Sequence, residues 1–148
     1  MLARQPYPPV YTGLPFAEAK VGDVMRVGVV TCRAETPLRD VAAMMVGYQI
    51  HSVVVDELDG GPQPLGIVSD LDVAGAAAAG DEQLSAGEVA STELPTVRSD
   101  EKLPRAAQIM AEHEVAHLLV VQPDTGRPVG VISTLGLASA LSAPRCTP

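Results

Sequence analysis

The sequence lacks a surplus of positive charge. Its 148 residues include ten lysines and arginines against eighteen aspartates and glutamates, which gives a formal net charge of -8. A protein that grips a phosphate backbone needs a basic stripe, and this sequence nowhere supplies one. We therefore expect no nucleic-acid partner.

Long apolar runs and a secretory signal are also missing. The longer apolar stretches, residues 41–46 and 118–121, are far shorter than the roughly 20 residues that cross a bilayer. Residues 1–10 contain no apolar segment ahead of their prolines. We expect a cytoplasmic protein without a membrane partner.

Cysteine is scarce. Cys32 and Cys146 lie far apart and form neither a CxxC motif nor a Cys/His spacing typical of metal sites. A reducing compartment would leave both as thiols. Cys32 lies in an apolar, strand-like run, which favours a small buried hydrophobe over a reactive nucleophile. Neither cysteine is thus strong evidence for chemistry, and we expect no metal site and no required cofactor.

What the sequence does contain is an internal repeat. Sliding the chain by 65 residues places Val24 on Val89 and Thr31 on Thr96. Each half then shows an apolar stripe with the i, i+3, i+4, i+7 spacing of an amphipathic helix. The two stripes are Leu38, Val41, Ala42 and Met45, and Leu103, Ala106, Ala107 and Met110.

Strands follow each predicted helix. The runs VVV at 53–55 and LLVV at 118–121 are each followed by a turn and a second strand, at 64–69 and 128–133. Small-residue helices, predicted at 71–79 and 135–141, close the two halves. Each half thus reads β-α-β-β-α, which predicts an α/β (α+β) fold. Because halves of about 60 residues bury little core alone, we expect them to pack through their sheets around a pseudo-twofold axis.

The predicted organisation has four parts. Residues 1–20 form an extended arm, since residues 1–15 include four prolines. The first repeat spans 21–80 and the second 81–143, with residues 80–87 as a polar link. Residues 144–148 form a C-terminal tail.

The repeat has recognisable ends. GDVM at 22–25 opens the first repeat, and GIVSDLD at 66–72 closes its second strand. The tandem arrangement resembles a pair of CBS domains over about residues 21–142. The resemblance implies a regulatory module rather than an enzyme, with a ligand such as AMP, ADP, ATP or S-adenosylmethionine in clefts between the repeats. It also implies a homodimer, and a separate effector protein would read the signal.

Ser69 and Asp72 lie at a predicted strand-to-helix junction, where side chains and helix N-terminal amides converge. An ionised Asp72 only accepts hydrogen bonds, so it suits the two hydroxyls of a ribose. The alternative is that Asp70 and Asp72 cap the helix. The resemblance assigns hydroxyl and ribose contacts to Ser69 and Asp72. It assigns the adenine-facing backbone and apolar wall to Val30, Ile50, His51, Ser52 and Ile67.

Phosphate contacts in the resembled family come from the segment before the strand of the opposite repeat, where this sequence has His117. His117 is therefore the candidate phosphate contact. The alternative is that His51 and His117 are partly buried, hydrogen-bonding histidines at strand starts.

The second cleft departs from the pattern. Ser133 corresponds to Ser69, but Gly136 stands at the position of Asp72 and offers no side chain to a ribose. Pro95 replaces the residue equivalent to Val30 and removes a backbone donor. This cleft is expected to be empty, specific for another ligand, or structural.

Two other functions compete with ligand sensing. HEVAH at 113–117 matches the HExxH motif, which on a helix places two zinc ligands on one face. However, the amphipathic stripe ends near Met110, the repeat places His117 in a strand, and neither His nor Glu follows as a third ligand. A module that dimerises without any ligand is the other alternative, although that role would not require Ser69 and Asp72.

Overall fold

The fold is a mixed α/β arrangement, seen in a computed structural model that describes residues 13–56 and 64–142. In chain order the elements of these ranges are α1 (Val21–Val24), β1 (Arg26–Val27), β2 (Thr31–Arg33), α2 (Leu38–Tyr48), β3 (Ser52–Asp56), β4 (Gly66–Ser69), α3 (Asp70–Ala78), α4 (Ala86–Val89), β5 (Thr96–Arg98), α5 (Leu103–His113), β6 (His117–Val121), β7 (Pro128–Ser133) and α6 (Thr134–Ser142).

The chain divides into two compact units. Unit 1 comprises residues 1–28 and 95–148, and unit 2 comprises residues 29–94. Residues 21–28 thus fold with the second sequence repeat, and residues 81–94 fold with the first. The tail at 144–148, with Cys146, and residues 1–12 of the predicted arm lie outside the described residues.

Each unit is built around its own sheet. In unit 2, β2 pairs in parallel with β3, and β3 pairs antiparallel with β4. In unit 1, β5 pairs in parallel with β6, β6 pairs antiparallel with β7, and the short β1 adds to the far side of β7. With α2 and α3 in one unit and α5 and α6 in the other, both units contain the predicted β-α-β-β-α order.

Three residues of each predicted apolar stripe form the helix side of a separate core, whereas Ala42 and Ala107 are only half-buried. Leu38, Val41 and Met45 of α2 are buried with Val53, Val55 and Val68 of the unit 2 strands. Leu103, Ala106 and Met110 of α5 are buried in the core of unit 1. Cys32 is buried in the unit 2 core, as its apolar surroundings predict, and burial raises the pKa of its thiol.

The closing helices start one residue earlier than predicted. They span Asp70–Ala78 and Thr134–Ser142, instead of 71–79 and 135–141. In α3 the reason is Ser69, which is the N-cap, so that the next residue already has helical geometry.

A glycine in each unit allows the close approach of another backbone segment. The backbone N–H and C=O groups of Ile67 both bond to Ser91, at 3.0 and 2.9 Å. A Cβ on the neighbouring Gly66 would lie 2.5 Å from the Ser91 carbonyl oxygen. A Cβ on Gly130 would lie 2.4 Å from the carbonyl oxygen of Arg26, in β1. These glycines are therefore required by packing, not by a turn.

Within the described ranges, every helix is too short or too polar to cross a membrane.

Candidate functional site

The candidate site lies at one end of the unit 2 sheet, where β3 begins and β4 ends. Antiparallel pairing sets Ser52 opposite Ser69 in the ladder. The chain enters α3 directly after Ser69, and it enters β3 directly after His51. The topology therefore gathers polar side chains from a strand start, a strand end and a helix N-terminus.

Ser69 and Asp72 form a capping box at the start of α3. The Ser69 hydroxyl accepts a hydrogen bond from the Asp72 N–H at 3.2 Å. In return, Asp72 Oδ2 accepts from the Ser69 N–H at 2.8 Å and from the Ser69 hydroxyl at 3.0 Å. Both residues are half-buried. The capping role considered as the alternative for Asp72 is thus present, and it holds the carboxylate in one orientation.

His51 and Asp70 are connected twice. The His51 Nδ1–H donates to Asp70 Oδ2 at 2.8 Å, and the Asp70 N–H donates to the His51 carbonyl at 2.9 Å. Both side chains are about half exposed, at 51% and 57%. These two hydrogen bonds connect the start of β3 to the first turn of α3, beside the capping box.

The predicted apolar wall is only partly accessible. Val30 and Ile50 are half-buried and pack against the unit 2 core. Ile67 is buried. The Val30 carbonyl accepts from the Val54 N–H at 3.0 Å, and both backbone groups of Ile67 bond to Ser91. The backbone at these two positions is thus already engaged in the fold.

His117 lies in unit 1, whereas the other seven predicted residues lie in unit 2. It begins β6 and pairs with Ser133 in the ladder, as Ser52 pairs with Ser69. His117 is half-buried, which agrees with the alternative interpretation of a partly buried histidine at a strand start. His51, by contrast, is exposed.

The equivalent junction of unit 1 has the same backbone and different side chains. The Thr134 N–H donates to the Ala116 carbonyl at 2.9 Å, which repeats the bond between Asp70 and His51. Ser133 Oγ accepts from the Gly136 N–H at 3.2 Å, but glycine supplies no carboxylate in return. Unit 1 therefore keeps the serine cap but lacks the carboxylate that completes the capping box in unit 2. It also lacks the equivalent of the contact between His51 and Asp70.

The zinc motif does not lie on one helix. Helix α5 ends at His113, Glu114 takes a left-handed conformation with φ 53°, and His117 begins β6. The equivalent Gln49 ends α2 in the same way, with φ 54°. The helical arrangement that would place both histidines on one face is thus excluded. No group of three or more potential metal-ligating side chains occurs in residues 13–56 and 64–142.

Unit 2 also contains a cavity of about 220 Å³. It is formed by α2, α3 and the segment after α3. Its lining residues are Leu38, Arg39, Ala42, Val73, Ala77 and Glu82. None of the eight predicted site residues contributes to it.

Sequence reasoning treated Asp70 only as a possible helix cap. The structure adds it to the site as the partner of His51. The sequence signal was an aspartate directly after the predicted strand, but the contact joins positions 19 residues apart and depends on the strand pairing.

Comparison with known proteins identifies the family. The family model for the CBS domain matches residues 21–79 and 86–143. The CBS domain-containing protein YhcV of Bacillus subtilis (strain 168) is 30% identical over 122 residues, which cover 81% of this chain and 84% of that protein.

Two solved structures share the fold. The CBS domain pair of protein MJ0100, in complex with 5'-methylthioadenosine and S-adenosyl-L-methionine, matches with a TM-score of 0.72 and 20% identity over 81% of this chain and 93% of that chain. The CBS domain protein PAE2072 from Pyrobaculum aerophilum, complexed with AMP, matches with a TM-score of 0.71 and 24% identity over 80% and 89%. The repeat, the fold and these matches agree that this chain belongs to the CBS domain family.

Proposed function

We propose that this chain is a regulatory module that binds an adenosine-containing ligand at the α3 end of unit 2 and passes the signal to a partner protein. The observation that carries the proposal is the half-buried, oriented carboxylate of Asp72. The adenosine compounds bound by MJ0100 and PAE2072 support the ligand class. AMP, ADP, ATP and S-adenosylmethionine are all candidates.

Asp72 is the proposed ribose contact. Both of its hydrogen bonds to Ser69 fall on Oδ2. A carboxylate has about four lone-pair sites on its two oxygens, so capping and acceptance of ribose hydroxyls are compatible. Hydrogen bonds to a charged group are worth about 1.5 to 3 kcal/mol each. Capping therefore orients the group that the ligand uses.

The remaining assignments follow from the family resemblance. Val30, Ile50, His51, Ser52 and Ile67 form the proposed adenine side, and Ser69 contacts a hydroxyl. His117 is the proposed contact for phosphate, when the ligand carries one. No metal and no resident cofactor is required by this mechanism, and no residue has a catalytic role.

The proposed assembly is a homodimer, and the proposed compartment is the cytoplasm. Leu71 of α3 is 77% exposed, and Leu135 and Leu141 of α6 are 46% and 69% exposed. A symmetric pairing of two chains would cover such apolar side chains. A separate effector protein would read the bound ligand.

A dimerising module without a ligand is the second candidate. The unit 1 junction supports it, because Gly136 removes the acid while the fold is kept. The two candidates differ in what Asp72 does: a purely structural module uses it only as a cap.

Calorimetry with adenosine, AMP, ATP and S-adenosylmethionine tests the proposal. We expect one site per chain and a loss of about ten- to a hundredfold in affinity for Asp72→Ala, since one charge-assisted bond is removed. Asp72→Asn keeps an acceptor for the cap and should also lose affinity. Circular dichroism of both variants controls for folding, and light scattering of the same samples tests the dimer. Unchanged affinity in both variants, or two equal sites per chain, would contradict the assignment.

A further inference from the structure

The two units differ strongly in charge. Unit 2, residues 29–94, contains eleven aspartates and glutamates, and its basic residues are Arg33 and Arg39. With histidine neutral, its formal charge is 2 − 11 = −9, whereas unit 1 has eight basic and seven acidic residues and carries +1. The sum is the chain's net charge of -8. All of the excess negative charge is therefore in the unit that carries the proposed site.

Neither arginine of unit 2 lies at the site. Arg33 lies opposite Asp56 in the ladder of β2 and β3, at the other end of the sheet from Ser52. Ser52 and Asp56 are four residue steps apart along β3, a distance of about 13 Å. Arg39 lines the cavity between α2 and α3 together with Glu82. The Debye length is about 10 Å at 0.1 M salt, so Arg33 contributes little at the site.

The N-terminus of α3 does not replace the missing cations. Helix N-termini attract anions through exposed N–H groups and the helix dipole. Here the Asp70 N–H donates to the His51 carbonyl and the Asp72 N–H donates to Ser69 Oγ. The first turn also carries the carboxylates of both aspartates. An incoming phosphate would meet two negative charges where a helix would otherwise offer donors.

From this distribution we infer that the site prefers an adenosine whose 5' substituent is neutral or cationic, such as a thioether or a sulfonium, over one that carries a phosphate. The inference rests on the proposed adenosine site. A local potential of about -1 kT per unit charge weakens binding of a dianion by about sevenfold relative to a neutral ligand.

The test compares three probes by calorimetry: S-adenosylmethionine, adenosine and AMP. At about 30 mM salt we expect AMP to bind about tenfold more weakly than adenosine, and S-adenosylmethionine to bind at least as tightly as adenosine. At about 0.5 M salt, screening should strengthen AMP binding, weaken S-adenosylmethionine binding and leave adenosine nearly unchanged. The opposite signs of the salt dependence are the diagnostic result.

Charge removal at the site supplies a second readout. Asp70→Asn should raise the ratio of AMP affinity to adenosine affinity several-fold. Asp81→Asn is the matched control, since Asp81 lies just beyond the other end of α3 and its loss removes the same net charge. A ratio is used because loss of the His51 contact alone would change both affinities together.

The outcomes separate the two proposals. Adenosine that binds, with AMP binding more tightly at low salt and losing affinity as salt rises, would overturn the charge preference while the adenosine site stands. If none of the three probes binds, the adenosine site itself fails. An equal rise of the ratio in Asp70→Asn and Asp81→Asn would show that the net charge of unit 2, and not the first turn of α3, controls the preference, and an unchanged ratio in both would overturn the charge preference.

Discussion

The strand-to-helix junctions of the two units share a backbone and differ in chemistry. In both units the first residue of the closing helix donates its N–H to a carbonyl at the preceding helix-to-strand corner, at 2.9 Å. In unit 2 these positions are Asp70 and His51, whose side chains also bond, and in unit 1 they are Thr134 and Ala116. The repeat thus preserves the bonds that the fold requires and leaves the side chains free to differ.

One turn later in the closing helices, the two units again share a backbone arrangement and differ in side chains. The cap accepts from the third helical N–H in both units, through Ser69 and through Ser133. Only unit 2 returns a carboxylate, from Asp72, because the equivalent Gly136 is a buried glycine that packs near Val24. The unit 2 junction therefore offers a carboxylate besides its serine cap, whereas the third helical residue of the unit 1 junction offers no side chain.

The largest expected effect concerns a feature that the two units share. Gly66→Ala and Gly130→Ala each place a Cβ within 2.5 Å of a backbone oxygen, so both should lower the free energy of unfolding by about 1 to 3 kcal/mol. Urea denaturation measures the change. Gly75→Ala is the control, because nothing lies within 4 Å of the added Cβ in α3 and alanine favours the helix by up to about 1 kcal/mol.

A loss of stability in only one of the two variants, Gly66→Ala or Gly130→Ala, would show that the two units are not equivalent at this contact. No loss for either would mean that the strands can separate at Ser91 and Arg26 without cost, so that these contacts do not stabilise the fold.

How far the sequence predicts this fold depends on how local each signal is. The stripes of α2 and α5 predict the helices because burial on one helix face follows a short period along the chain. The pairing of β1 with β7 has no such signal, since two residues show no periodicity and the partner lies about a hundred residues away.

How much of the site the sequence predicts also depends on how local each signal is. The serine and acid spacing at 69 and 72 predicts both a cap and a ligand contact, and the structure shows the cap directly. The contact between His51 and Asp70 could not be read from spacing, because it exists only once β3 and β4 are in register. The ligand contacts at all eight predicted residues stay a prediction.

The caps give the next comparison. Ser69→Ala removes the acceptor of the Asp72 N–H and the hydroxyl donor to its carboxylate, so we expect a loss of about 1 kcal/mol in the free energy of unfolding. Ser133→Ala removes one bond, of 3.2 Å to the Gly136 N–H, and should cost less. Urea denaturation of both variants measures the difference. Equal losses would show that the bond from the Ser69 hydroxyl to the Asp72 carboxylate adds nothing to the cap, since the bond from the backbone N–H to that carboxylate remains in Ser69→Ala.

The smallest expected effect is the coupling free energy between His51 and Asp70, which also gives the sharpest comparison of the two units. Because both side chains are about half exposed, we expect a coupling of about 0.2 to 1 kcal/mol in a double-mutant cycle of His51→Ala and Asp70→Ala. High salt should reduce it, since exposed charges are screened. The cycle isolates this pair from the other contacts of His51.

Unit 1 offers the matched experiment, because its backbone bond between Thr134 and Ala116 has the same 2.9 Å length. If the corner alone sets the geometry, the double variant Ala116→His with Thr134→Asp should also show a favourable coupling of about 0.2 to 1 kcal/mol, equal within error to the unit 2 value. A coupling of zero there, with a measurable one in unit 2, would mean that the pair depends on neighbours peculiar to unit 2. The acidic unit would then specify its junction through more than the shared backbone.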